Sequence, residues 1–183
     1  MIQVHRTASS SFTNILYELF ANDFEVLEQH TNAKSLESNY FEKYKDYYVC
    51  GFTRNPWERI WSWYNLIHLN QPVDLITERK RLEDFIESDV VLDTKLNSFH
   101  YNTLDYFLTS KNDLVVNHIF DYHDFTNEVK SFLSRFNLSI TEVPFLNKTD
   151  SKNYLNYYTE KSKNLITSKC HKDIQYFNYQ FDK

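Results

Sequence analysis

Apolar positions along this chain keep two rhythms. At Phe12, Ile15, Leu16, Leu19 and Phe20 they recur three and four apart, the spacing of a helix that buries one face. The same spacing returns at Val129, Phe132, Leu133 and Phe136. Between such stretches lie short β-rich runs at residues 2–5, 24–27, 47–53 and 115–122. The pattern predicts helices over 10–21, 56–68 and 128–136, a polar helix over 35–44, a helix containing RLEDFIES, and one or two closing helices over 160–177. Pro56 marks a helix start and Asp124 an N-cap. Between 70 and 112 the rest offers no clear period, and VPFLNKTDSKNY reads as a loop.

Strands that alternate with helices predict a parallel sheet covered on both faces. The expected fold class is α/β, a three-layer α/β/α arrangement with a central parallel sheet. No repeat, low-complexity tract or linker divides the chain, so a single domain over 1–183 is expected.

Composition adjusts this picture in a few places. Tyr and Phe supply 14 and 15 residues while Gly supplies one, so large rings must fill the core and tight turns must rely on Asn, Asp or Ser. A net charge of -5 argues against a surface built for duplex nucleic acid or a highly sulfated polyanion. No apolar run approaches the roughly 18 residues of a membrane span, and the N-terminus lacks a signal-peptide pattern. A cytoplasmic protein with no membrane partner is therefore expected. Cys50 and Cys170 belong to no CxxC or Cys/His spacing, which predicts buried thiols rather than a zinc site or a disulfide framework.

Two segments carry the chemistry. VHRTASSS and TRNPWER each follow a predicted strand and open a predicted helix, where helix N-termini present N–H groups and a positive dipole end to anions. The first, taken alone, also suits a simple Ser-rich helix start. It lacks the GxxxxGK[ST] pattern, and no acidic strand end stands out as a magnesium ligand, so a kinase or ATPase is disfavoured and no metal is expected.

Taken together, the segments resemble the sulfotransferases that use 3'-phosphoadenosine-5'-phosphosulfate, in particular the branch of carbohydrate 2-O-sulfotransferases and their small bacterial relatives. VHRTASSSF resembles the family's 5'-phosphosulfate loop. TRNPWERIWSWY resembles its 3'-phosphate motif, with Arg54 and Ser62 at the family's spacing. HTNA resembles a His-containing segment just before the family's 3'-phosphate strand, and VVNHIFDYHDF, PFLNKTDSKNYLNYYT and DIQYFNYQF resemble later segments in the family's order.

This resemblance implies a P-loop-like sulfotransferase fold and the phosphoadenosine donor as cosubstrate, with the 3',5'-bisphosphate as product. It places the 5'-phosphosulfate on Arg6, Thr7, Ala8, Ser9, Ser10, Ser11 and Phe12, and the 3'-phosphate on Arg54 and Ser62. Thr7 and Ser9 are expected to act through backbone N–H groups; Ser10 and Ser11 are read either as phosphate contacts or as helix caps. Asn147 and Lys148 either close over the nucleotide or form an exposed turn. His30 is the candidate general base, against a surface or capping role. His123 is a weaker alternative catalytic or acceptor contact, Arg59 is read as a structural ion-pair partner rather than a 3'-phosphate contact, and Trp57, Trp61 and Trp63 either include an adenine-stacking ring or belong to the core. Arg6 stands where the family usually has Lys; it keeps the charge but cannot donate a proton.

The expected function is sulfuryl transfer to a hydroxyl of a small-molecule or carbohydrate acceptor, the acceptor contacts falling within 70–112. The alternative is a nucleotide- or partner-binding protein that keeps the fold without turnover. Neither reading fixes the oligomeric state.

Overall fold

The computed structural model describes residues 1–20, 32–36, 45–68, 71, 73–88, 100–144 and 154–182. Among them, six α-helices and two strands run in the order α1 (Ser9–Phe20), β1 (Cys50–Thr53), α2 (Pro56–Ile67), α3 (Leu75–Glu87), β2 (His118–Asp121), α4 (Phe125–Ser134), α5 (Glu160–Lys169) and α6 (His171–Phe177). The chain is mixed α/β. A short 3-10 helix spans Ala33–Leu36; the strand expected at 24–27 and most of the polar helix at 35–44 lie outside the described residues. No described helix is long and apolar enough to cross a membrane.

Two compact units make up the chain: Met1–Arg54 with Asp105–Lys148, and Asn55–Leu104 with Thr149–Lys183. In the first unit β1 and β2 pair in parallel, from Cys50 opposite His118 to Thr53 opposite Asp121. The described residues contain this two-stranded pair rather than a wider central sheet. Both strands are shorter than predicted, and the hydrogen bonds say why. Asn117 donates its N–H to Val49 O at 2.7 Å but takes the Val49 N–H with its side-chain oxygen, also at 2.7 Å, and Val115 donates to Phe107 O at 3.0 Å, so the regular ladder stops at His118 and the chain before Asn117 turns toward Phe107. Residues 2–5 form no regular strand; Ile2 N–H reaches Cys50 O at 2.8 Å beside β1.

Of the apolar stripe of α1, Phe12, Ile15 and Leu16 are buried, Phe20 is half-buried and Leu19 is exposed. Phe12, Ile15 and Leu16 meet Phe52 and Phe120 of the strands and Phe125, Val129, Phe132 and Leu133 of α4 in one core cluster. Phe12 is its centre, with ring centroids 5.2 Å from Phe132 and 5.3 Å from Phe52. Asp124 occupies the N-cap of α4, yet its carboxylate accepts from the Asn127 side chain at 2.6 Å rather than from a helix N–H.

In the second unit, cap chemistry sets the helix starts. Asn55 accepts the Trp57 N–H at 3.2 Å ahead of Pro56, Asp74 accepts from Ile76 and Thr77, and Thr159 and Ser162 form a capping box. Trp57, Trp61 and Trp63 join Ile60, Leu82 and Ile166 in the core. Arg59 is fully buried and donates to Tyr101 O at 2.8 Å and His100 O at 2.6 Å, a structural role met by carbonyls.

Candidate anion-binding site

The segment after Val4 departs from ordinary backbone at two non-glycine residues. Arg6 and Ala8 have φ of 62° and 63°. For residues with a Cβ the left-handed region costs about 1–2 kcal/mol each. Left-handed residues at alternate positions are one element of the backbone pattern that anion-binding nests use.

Side chains inside the loop hold that shape. The hydroxyls of Thr7 and Ser9 both donate to Val4 O at 3.0 Å. Gln3 donates to Thr13 Oγ1 at 2.6 Å, and Thr13 in turn to Ser9 O at 2.8 Å. Thr7 and Ser9 are buried, with both hydroxyls turned to Val4 O. Ser10 is exposed and Ser11 buried. Phe12 sends its ring into the core and its N–H to Ala8 O at 3.2 Å, so it supports the loop from beneath.

Positive charge gathers at this end of α1. The helix has no acidic residue in its first turn, so its positive dipole end is not offset there by its own carboxylates. Arg54, immediately after β1, is buried and donates from Nη1 to Arg6 O at 3.0 Å. Its guanidinium lies 3.8 Å from the centroid of the Tyr122 ring. Burial, and then the like charge of Arg54, push the Arg6 guanidinium below its ordinary pKa, with Tyr122 opposing. Two arginines with the dipole end of a 12-residue helix make an environment suited to a phosphate or sulfate group.

The structure thus brings Arg6 to Phe12 together with Arg54 in the first unit. Ser62 belongs to the second unit, on α2, where it is buried. His30, Asn147 and Lys148 lie outside the described residues. His123 is exposed, with its N–H on Asp121 Oδ1 at 2.9 Å. Tyr122 carries no signal in the sequence; it meets Arg54 only because β2 lies beside β1. Among the described residues no cluster of three His, Cys, Asp or Glu is placed to hold a metal ion. No family model, curated protein or solved structure matches the chain.

Proposed function

We propose that residues 5–8 and Arg54 receive the phosphates of a nucleotide, and that the chain is a sulfotransferase. It moves a sulfuryl group from 3'-phosphoadenosine-5'-phosphosulfate to a hydroxyl of a small-molecule or carbohydrate acceptor. The observation that carries this reading is the meeting of Arg6 and Arg54 at the positive end of α1. Like charges held close repel, and an anion with several oxygens relieves that repulsion. The resemblance of the motifs then supplies the donor's identity.

In the transfer, the acceptor oxygen bonds to sulfur as the bond from sulfur to the 5'-phosphate oxygen breaks. The acceptor's proton passes to a base, for which His30 is the sequence's candidate. Negative charge grows on the leaving phosphate, where Arg6 offsets it. Arg6 remains a cation and donates no proton, which a weakly basic phosphate leaving group does not need.

A thermal-shift titration with 3'-phosphoadenosine-5'-phosphate tests the reading, with ADP and magnesium-ATP as controls, since a ligand that binds only the folded state raises its stability. The expected result is a shift with the bisphosphate alone, weakened by about 2–4 kcal/mol in Arg54→Ala. No shift, or one favouring ATP, overturns the assignment. Arg6 in the usual place of Lys favours a second reading, a binding protein without turnover. Donor binding with no transfer over a broad panel of alcohols, and no gain on Arg6→Lys, would support that one.

A further inference from the structure

The resemblance makes Arg54 a ligand of the donor's 3'-phosphate, but its geometry serves a different part of the site. Arg54 Nη1 is bound to the carbonyl of Arg6, one of the two left-handed residues that shape the loop. That guanidinium rests on the Tyr122 ring at 3.8 Å. Tyr122 is itself fixed: its N–H donates to Thr53 O at 3.0 Å, which carries the β1–β2 pairing one residue past the ladder. A chain of contacts therefore runs from the strand pair through Tyr122 and Arg54 to the loop.

We infer that Tyr122 is a positioning residue for the anion site: it seats Arg54, and Arg54 so seated clamps the Arg6 carbonyl and holds residues 5–8 in their anion-receiving shape. The inference rests on the anion reading above. Its consequence is specific. If Arg54 clamps the loop, unseating it weakens a ligand that carries no 3'-phosphate at all. If Arg54 serves the 3'-phosphate alone, such a ligand does not sense the change.

Adenosine 5'-phosphosulfate, which lacks the 3'-phosphate, and 3'-phosphoadenosine-5'-phosphate are titrated into the full chain and its Tyr122→Phe and Tyr122→Leu variants. Phe keeps the ring under the guanidinium and is expected to bind both ligands much closer to the parent than Leu does. Leu removes the aromatic face and is expected to weaken both about tenfold, within the range of a desolvated cation–π contact. Loss confined to the bisphosphate, or equal binding by all three proteins, overturns the inference.

Failure of the parent to bind either ligand would strike the anion reading itself, and the clamp is then decided on the ligand-free protein. Amide hydrogen exchange at residues 6–8 is expected to speed up in Tyr122→Leu and stay much closer to the parent rate in Tyr122→Phe; equal rates in all three overturn it. Should Tyr122→Leu not fold, Arg54→Lys takes its place. It keeps the charge but loses the planar fork that spans ring and carbonyl, and the same two-ligand comparison applies.

Discussion

Ala8 carries a backbone angle that glycine would adopt freely. At φ of 63° its Cβ crowds the neighbouring carbonyl, and the usual penalty for removing a methyl from a structured position is reversed. Ala8→Gly is expected to stabilise the protein by about 1 kcal/mol, a rise in Tm of roughly 2–4 °C for a chain of this size. Ala8→Val, with a branched Cβ in the same region, is expected to lower Tm. Melts followed by circular dichroism decide it; a fall in Tm for the glycine variant would mean that residue 8 does not keep this angle. Arg6 shares the angle but differs in kind, because Arg54 holds its carbonyl. Strain at residue 8 is local, while strain at residue 6 is tied to the neighbouring strand end.

At the scale of elements, β1 depends on the chain's one glycine. A Cβ built on Gly51 would stand 2.4 Å from Phe107 Cε1 and 3.1 Å from Ile2 O, and Phe107 is fully buried. The ring cannot swing into solvent, so Gly51→Ala is expected to destabilise by about 1–3 kcal/mol through overpacking. In a Phe107→Leu background the same change is expected to do less harm, with a coupling energy above about 0.5 kcal/mol in urea unfolding. Additive effects would place the clash elsewhere.

Local chemistry explains which elements were legible in the sequence. Helix α1 and helix α2 begin within a residue of where apolar spacing and Pro56 put them, because those signals lie inside the element. Strand lengths were not legible, since Asn117 and the Phe107–Val115 contact trim them from across the fold. The loop with Arg6 and the strand end with Arg54 were readable as anion-seeking segments. Tyr122 was not: its role exists only where β2 lies beside β1.

At the scale of the whole molecule, folding is linked to protons through a residue that reads as an ordinary first-turn acid. Asp173 is fully buried and accepts from Thr103 N at 2.6 Å, Thr103 Oγ1 at 2.7 Å and Leu104 N at 2.9 Å, across about 70 residues of sequence. Its own N–H donates to Asn102 Oδ1, and the Asn102 amide donates to Lys169 O. Burial pushes the carboxyl above its ordinary pKa, against the pull of the Leu104 N–H, the Arg59 charge and the Thr103 donors. A raised pKa means the folded state holds the proton more tightly than the unfolded state. The contribution to stability is then fully present in acid and declines as pH rises through the folded-state value. Asp173→Asn removes this titration and turns an amide N–H toward one of the three donors, so it is expected to cost about 2–3 kcal/mol at low pH. Its deficit relative to the parent should narrow as the pH is raised above the ordinary carboxylate range and through the raised folded-state value. All three tryptophans lie on α2 in the same unit, so their fluorescence in urea titrations reports this unit directly. A deficit that widens with pH would show that the three donors and Arg59 outweigh burial, and that Asp173 is held as a carboxylate.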